Sequence, residues 1–254
     1  MRRAQWQAAL IAVAMVAVVG CASKQALTLK ADETYFAEGK KALEKKRYLE
    51  AVEKFQQLVG SYPGSPLVSD AQYLLAEAHF RNDDYVNAVF EYQRLVDSYP
   101  SSEWVDESQF QIAESYYRQR RRPELDQKET NDALVHFRLF LDDNPASPLV
   151  EQARQRIDEC RGLLAHKLFL SGRLYQRQAH LDAATTLYQK LLQDFPDTSW
   201  YWEAVAALGE VAADKKDLLQ ARARWEEVLR ESHDEKLKAR VQKQLAQIGT
   251  AAGE

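Results

Sequence analysis

The amino-acid sequence predicts an all-α fold in which five helical hairpins stack into a solenoid and a further helix caps the C-terminal end. The first observation is a repeat, because the segment 48–65, YLEAVEKFQQLVGSYPGS, returns 37 residues later as YVNAVFEYQRLVDSYPSS. Each copy places Ala, an aromatic ring and Leu at helical spacing and then stops at Tyr-Pro. Ser65 and Ser102 follow the prolines and are expected to cap the next helix. The second observation is that strand signals are nearly absent, so an open array is expected.

Three more copies of this helical face lie downstream, and a partner helix with a small residue precedes each of the five. The faces are Ala51, Phe55, Leu58; Ala88, Tyr92, Leu95; Ala133, Phe137, Phe140; Ala184, Tyr188, Leu191; and Ala221, Trp225, Val228. The small residues are Gly39, Ala76, Ala113, Gly172 and Gly209. They precede the Ala by 12 positions in four copies and by 20 in the third, which predicts an insertion of eight residues. The layout resembles the tetratricopeptide repeat from about residue 32 to 232, which implies a right-handed superhelix.

The first 20 residues have the form of a signal peptide. Two arginines precede an uncharged run of 12 residues, which is too short to span a bilayer comfortably. The sequence Val-Val-Gly-Cys at 18–21 resembles a bacterial lipobox, which implies that Cys21 is acylated and begins the mature chain. Ala22 follows it rather than Asp, which in such families implies the outer membrane, facing the periplasm. Residues 21–31 are then a lipidated tether. An ordinary secretory signal with a chance cysteine is the alternative.

The overall composition narrows the class of partner. The chain has 254 residues, of which 46% are hydrophobic, and its formal net charge is -4. A chain of net negative charge is not expected to bind nucleic acid. Cys21 and Cys160 lie too far apart in the sequence to indicate a disulfide framework. Cys160 falls on the apolar face of a helix, where a buried structural thiol is expected.

Rings and charges recur at equivalent positions of the leading helices in the first three hairpins. Rings that fill side-chain pockets, alternating with polar groups that hold a backbone, suit an extended peptide. Two alternatives stay open, namely that the rings only pack helix against helix, and that another part of this chain occupies the groove. The predicted groove residues are Phe36, Lys40, Leu43, Tyr73, Glu77, Phe80, Phe110, Glu114 and Tyr117.

Irregular segments are further candidates for partner contact. Arg120, Arg121 and Arg122 in the insertion could dock an acidic partner, although a charge run is usually a solvated face. Between 148 and 178 the apolar spacing predicts one unusually long helix, with Ser147 as its cap. Residues 235–247 are expected to form the amphipathic capping helix.

Three consecutive rings, Trp200, Tyr201 and Trp202, open the last hairpin. They cannot all point into one core, so at least one is expected to be exposed. Exposed rings at a repeat surface are typical of a protein contact. Covering the end of the stack is the alternative role.

No catalytic pattern stands out in the sequence. It holds no HExxH, no GxSxG, no phosphate-binding loop and no dinucleotide fingerprint. The five histidines are scattered without metal-ligand spacing. The sequence therefore predicts a protein that is not an enzyme and that has no cofactor and no metal site.

The lipobox, the tether, the five hairpins, the insertion and the lengthened helix together resemble the BamD family, also called ComL or YfiO. The likeness is strongest from 131 to 196. The resemblance implies a scaffold of the β-barrel assembly (BAM) machinery, in which repeats at 32–145 receive unfolded outer-membrane proteins and residues 146–254 dock on a POTRA domain of BamA. Other BAM lipoproteins are further partners that it implies. The Tyr-Pro repeats also resemble CpoB (YbgF), so an adaptor for envelope synthesis, the Tol system or pilus and secretin assembly is the alternative.

Overall fold

The computed structural model describes residues 31–251, so the predicted signal peptide, Cys21 and all but the last residue of the tether lie outside the described residues. The described chain consists of α-helices and contains no strand. This confirms the predicted all-α fold of helical hairpins followed by a last helix. The helices are α1 (31–44), α2 (Tyr48–Ser61), α3 (Val68–Arg81), α4 (Tyr85–Ser98), α5 (Val105–Arg118), α6 (Lys128–Asp143), α7 (Val150–Arg177), α8 (Leu181–Asp194), α9 (Trp200–Asp214), α10 (Leu218–Glu231) and α11 (Glu235–Ala251).

The chain divides into two compact units, and the division falls within α5. The first unit ends at Ser115 and the second begins at Tyr116. In the first unit α2 packs on α3 and α3 packs on α4, while in the second unit each helix from α6 to α11 packs on the next. Helices adjacent in sequence are therefore adjacent in space within each unit. The functional division after residue 145 stays a prediction.

The repeated face forms the core of both units. The five alanines of the motif are 0% exposed, and so are the rings of Phe55 and Tyr188. The glycines of the partner helices lie directly under these rings, because a Cβ at Gly39 would lie 2.6 Å from Phe55 Cε1 and one at Gly172 would lie 2.5 Å from Tyr188 Cε1. The predicted close approach at small residues is confirmed for these hairpins.

The turn inside each regular hairpin has one residue in the left-handed backbone region. These residues are Lys46, Asp83, Ala179 and Lys216, with φ of 58°, 58°, 58° and 65°. After each of them an N–H reaches the carbonyl five residues back, as in the 2.9 Å bond from His180 N–H to the Tyr175 carbonyl. This pattern is the Schellman motif, in which glycine is the usual left-handed residue. A side chain there costs about 1 kcal/mol or more.

The serines that follow the prolines start turns and do not cap helices, so the N-cap prediction is wrong. Leu67 and Leu149 occupy the N-cap positions of α3 and α7. The Ser65 hydroxyl accepts the Leu67 N–H at 3.2 Å, and the Ser147 hydroxyl accepts the Leu149 N–H at 3.4 Å. Each hydroxyl therefore closes a local turn two residues ahead, the alternative that serine offers to helix capping. Ser102 closes the same turn onto the Trp104 N–H.

Three predictions for the second half of the chain are confirmed, namely the long helix, the buried Cys160 and the capping helix. Helix α7 has 28 residues, twice the 14 of α8. Cys160 lies on its buried face and is 0% exposed. Helix α11 packs on α10 through Leu237 and Val241, which are 2% and 0% exposed. The last helix thus covers the apolar face that α9 and α10 leave open.

Candidate binding surfaces

The groove candidates on α1 have three different environments. The Phe36 ring is half-buried and meets Phe55 edge-on, with 6.1 Å between the ring centroids. Lys40 is exposed, and its Nζ lies 5.6 Å from the centre of the Phe36 ring. Leu43 is a member of the core. On this helix Phe36 and Lys40 offer surface to a ligand, whereas Leu43 does not.

On α3 the candidate rings are held by their neighbours. Tyr73 is 9% exposed and stacks on Trp104, with 4.3 Å between the centroids. Trp104 in turn donates its indole N–H to Asp70 at 2.9 Å. Phe80 is half-buried and meets Tyr85 in a T-shaped arrangement. The Tyr73 ring therefore has little free surface, whereas Phe80 retains some.

Glu77 joins the two helices of the second hairpin. Its carboxylate accepts the Tyr92 hydroxyl at 2.8 Å and the Arg81 Nε–H at 2.6 Å. Burial raises the pKa of the Tyr73 hydroxyl, and the nearby Glu77 charge raises it further. Glu107 lies in the same surroundings, and its pKa is raised by burial and, less strongly, by Asp106 and Glu77. This part of the surface is acidic and already partly desolvated.

The candidates on α5 are the most deeply buried. Phe110 and Glu114 in the first unit are 2% and 4% exposed, and Tyr117 in the second unit is 4% exposed. Direct contact with a peptide in this conformation therefore falls to the half-buried and exposed candidates on α1 and α3. The buried candidates pack against neighbouring helices, which is the alternative role that the sequence left open. Peptide binding itself stays a prediction.

Arg120 is exposed, and its guanidinium is held against an aromatic ring. Its guanidinium lies 3.7 Å from the centre of the Tyr117 ring, and that of Arg156 lies 4.4 Å from it. The Tyr117 hydroxyl donates to Glu159, which also pairs with Arg156. Burial would raise the pKa of Glu159, but the Tyr117 hydroxyl and the Arg156 charge outweigh it and lower that pKa. This cluster fastens the start of the insertion to α7.

The insertion loop, residues 119–127, is held together by hydrogen bonds of one buried side chain. Gln127 is 3% exposed, and its Nε2 donates to the Arg122 carbonyl at 2.8 Å and to the Leu125 carbonyl at 3.3 Å. Its Oε1 accepts the Thr130 hydroxyl at 2.7 Å. The side chains of Arg121 and Arg122 are exposed. Arg120 is exposed as well, but its guanidinium lies over the Tyr117 ring.

Trp200, Tyr201 and Trp202 are all half-buried, so the expectation that at least one would be exposed is wrong. Trp200 stacks on His166 at 3.9 Å between the ring centres. Tyr201 and Trp202 meet in a T-shaped pair and pack on a core that contains Val241 of α11. The rings are covered from two sides because α7 supplies His166 and α11 closes over the other pair. Their role in partner contact stays a prediction.

Several residues that matter to these surfaces were missed in the sequence. Trp104 and Gln127 lie outside the repeat motif, and a single sequence offers no signal that would select them. Arg173 and Glu210 form an ion pair between α7 and α9, and Gln244 of α11 donates to Glu210 at 2.9 Å. Their spacing of 37 residues is the repeat period, which could have indicated the pair.

Within the part of the chain that the structure describes, no three His, Cys, Asp or Glu side chains are grouped so as to hold a metal ion. None of the helices described there combines the length and apolar character needed to cross a membrane. The described surfaces are thus ring-bearing and charged faces of helices.

Comparison with known proteins gives one family. The model of the family YfiO, described as outer membrane lipoprotein, matches residues 29–229. No curated protein matches the chain. Among solved structures, a tetratricopeptide repeat protein from Parabacteroides merdae is 13% identical, with 87% of this chain and 88% of that chain covered and a TM-score of 0.39. The TPR2AB domain of yeast Sti1, in its pHSP90 complex, is 13% identical, with 87% of each chain covered and a TM-score of 0.43. A thermophilic TPR protein of Thermus thermophilus is 20% identical, with 85% and 100% covered and a TM-score of 0.35.

Proposed function

Because the chain belongs to the YfiO family of outer membrane lipoproteins, we propose that it is a non-catalytic scaffold of the β-barrel assembly machinery. In this role it binds BamA and receives unfolded outer-membrane proteins for insertion. The observation that carries the proposal is the family match, which extends from residue 29 into α10 at residue 229. It therefore covers the helical hairpins of both compact units and not one repeat alone.

The first repeats, 32–145, are the proposed client-binding half. Phe36 and Phe80 are half-buried rings with remaining surface, and Lys40 is an exposed cation next to Phe36. Rings and charges in this arrangement suit an extended peptide that carries aromatic side chains. Tyr73 and Phe110 are largely buried and leave little surface for direct contact.

The second half, 146–254, is the proposed docking site for a POTRA domain of BamA. Its candidates for direct contact are the half-buried rings of Trp200, Tyr201 and Trp202. The exposed arginines Arg120, Arg121 and Arg122 precede this half in the chain but belong to the same compact unit, and they are proposed as additional contacts. Arginine and large rings are the residue types that dominate binding energy at protein interfaces. Other BAM lipoproteins are proposed as additional partners.

Lipidation at Cys21 is proposed to hold the protein at the outer membrane with its repeats in the periplasm. Acyl chains give stable anchoring because each buried methylene contributes about 0.8 kcal/mol. Replacing Cys21 by Ser is expected to release the protein from the outer-membrane fraction. Retention of the Cys21→Ser variant in that fraction would argue against the anchor.

Affinity purification of the full-length chain from detergent-solubilised membranes tests the main proposal. BamA is expected to co-purify with the wild-type chain, and less of it with a variant carrying Arg121→Glu and Arg122→Glu. Lys216→Glu serves as the control, because Lys216 is an exposed cation in a turn of the second unit. Absence of BamA from the wild-type preparation would remove the assembly role. It would leave the adaptor for envelope synthesis, the Tol system or secretin assembly.

The client-binding surface is tested with a synthetic peptide that carries the C-terminal strand of an outer-membrane protein. Phe36→Ala and Phe80→Ala are expected to weaken binding, since truncation of a ring that contributes to a hot spot costs about 1–2 kcal/mol. Phe90→Ala is the matched control, because Phe90 is a 61% exposed ring on α4 outside the proposed groove. Equal affinity of all three variants and the wild type would exclude the groove residues from the site.

A further inference from the structure

A cleft of about 560 Å³ lies in the second unit between the insertion loop and α7. Glu124 belongs to the loop wall, and the helix wall includes Lys167, Leu170, Leu174 and Arg177. These four helix positions are separated by three, four and three residues. Side chains at such spacing lie on one face of a helix. The cleft is therefore bordered by a straight stripe with a cation at each end and two leucines between them.

The loop wall is held in place by the helix it faces. Helix α7 has 28 residues and α6 has 16, so at about 1.5 Å per residue α7 is about 18 Å longer. The two helices pack together, and the insertion loop precedes α6, next to the second half of α7. There Lys167 donates its Nζ to the Leu125 carbonyl at 2.5 Å, and Gln127 bonds to the same carbonyl. The cleft thus has two fixed walls.

The charges of the cleft are not neutralised by the second unit itself. Among the described residues Lys167 has no carboxylate partner, and Arg177 makes no ion pair. Arg173, also in the lining, differs from them because it is paired with Glu210. Glu124 is the one acidic side chain of the described lining. The cleft is cationic in a chain whose formal net charge is -4.

Apolar surface accompanies the charge. Leu174 is 46% exposed, and Leu125 at the loop tip is 37% exposed. Leu170 is half-buried between Lys167 and Leu174 on the same face. Leucines at helical spacing between two cations form a surface that is complementary to an amphipathic helix with acidic ends.

We propose that this cleft binds an acidic amphipathic helix of a partner protein. Two carboxylates of that helix meet Lys167 and Arg177, which lie about 15 Å apart along α7 at 1.5 Å per residue. Its apolar side chains pack on Leu170 and Leu174. The proposal rests on the adaptor function proposed above, but it does not require that the bound helix belongs to BamA.

The test uses fluorescein-labelled synthetic peptides and the full-length chain in an anisotropy titration. The probe carries Glu, Leu, Leu and Glu at the spacing of three, four and three. The spacing reads the same in both directions, so it matches the stripe whichever way the peptide lies. A second peptide with Lys in place of both Glu residues is the charge control. Saturable binding of the acidic peptide, weakened by added salt, is expected, and no comparable binding of the basic peptide.

Variants of the chain locate the binding. Arg177→Glu is expected to weaken binding of the acidic peptide about tenfold, because repulsion replaces attraction at a contact with a charged partner. Adding Lys167→Glu should weaken it further, whereas Arg222→Glu, at an exposed arginine of α10, should leave it unchanged. Arg177 makes no ion pair among the described residues, so its single variant tests the charge without loosening the loop. Circular dichroism of each variant confirms that the helices are intact.

The proposal is overturned if the acidic peptide does not bind saturably, if the basic peptide binds equally well, or if Arg177→Glu has the effect of Arg222→Glu. The outcome is distinguishable from that of the assembly role. If the chain co-purifies with BamA but does not bind the acidic peptide, only the proposed cleft function is wrong. If the chain binds the peptide at Arg177 but does not co-purify with BamA, the proposed cleft function stands and the proposed assembly role is wrong.

Discussion

Replacement of Gly172 by Ala tests whether the glycines under the repeat rings are required by packing. A Cβ at Gly172 would lie 2.5 Å from Cε1, 2.8 Å from Cζ and 2.9 Å from Cδ1 of Tyr188. The ring cannot swing away easily, because it is 0% exposed and its hydroxyl donates to Gln176 at 3.2 Å. The added methyl group therefore forces the α7 and α8 backbones apart.

The expected magnitude is the difference between two opposing effects. Overpacking in a filled core costs about 1–3 kcal/mol. Alanine in place of glycine within a helix gains about 0.5–1 kcal/mol. The net loss for Gly172→Ala is then about 1 kcal/mol, within a range of about 0–2.5 kcal/mol. Gly162 lies in the same helix with nothing within 4 Å of its Cβ position, so Gly162→Ala should gain about 0.5–1 kcal/mol.

Thermal unfolding of the two variants and the wild type, followed by circular dichroism, measures the contrast. For a chain of this size, 1 kcal/mol shifts the midpoint by about 2–4 °C. Gly172→Ala is expected to unfold at a lower temperature than the wild type, and Gly162→Ala at a higher one. If Gly172→Ala is as stable as Gly162→Ala, the ring over the glycine does not determine the helix spacing, and the explanation of the repeat motif is wrong.

Three further predictions follow from the described residues. Ala179→Gly should stabilise the second unit by about 1 kcal/mol because φ at Ala179 is 58°. Ala223→Gly within α10 is the control and should destabilise the unit by about 1 kcal/mol. A shift of the urea unfolding midpoint in the same direction for both variants would contradict this. Burial lowers the pKa of His136 below its ordinary value of 6.5, so the folded protein keeps this histidine's full contribution to stability above pH 6.5 and loses it as the pH falls toward the lowered pKa. His136→Phe should remove this loss of stability in acid. An unchanged pH dependence of the unfolding midpoint in the variant would refute the assignment. Gln127→Ala should speed trypsin cleavage after Arg120 and Arg121, because three loop carbonyls lose the Gln127 side chain as a donor, whereas Asp126→Ala on the same loop should change the rate little.

The core could be predicted from the sequence because it is built by local, repeated rules. Ala51 and Phe55 lie four residues apart, and both are 0% exposed. The same pair of positions is buried in the other hairpins, since each repeat places the same face against its partner helix. Gly39, Gly172 and Gly209 could be placed under rings for the same reason. Nothing outside the hairpin is needed to reach this result.

The exposure of the ladder could not be predicted, because it depends on residues outside the motif. Phe36 and Tyr73 occupy the same repeat position, yet Phe36 is half-buried and Tyr73 is 9% exposed. Trp104 stacks on Tyr73, whereas the residue 37 positions before Trp104 is Leu67. A single substitution at that neighbouring position thus changes how much of the ring a ligand can reach. Sequence spacing alone carries no information on this neighbour.

The two departures from the repeat period explain why the second unit has a cleft at all. Lengthening α7 alone would leave its second half extending past the start of α6, with an apolar stripe of Leu170 and Leu174 facing water. Inserting eight residues alone would leave a charged loop with no helix to lie against. Because the chain has both, the Leu125 carbonyl meets Lys167, and the loop covers one side of the stripe while the other stays open. Regular repeats specify the fold, whereas the paired irregularities produce a surface that the regular repeats lack. Shortening the loop to the regular turn is therefore expected to abolish peptide binding at Arg177 while the hairpins remain folded.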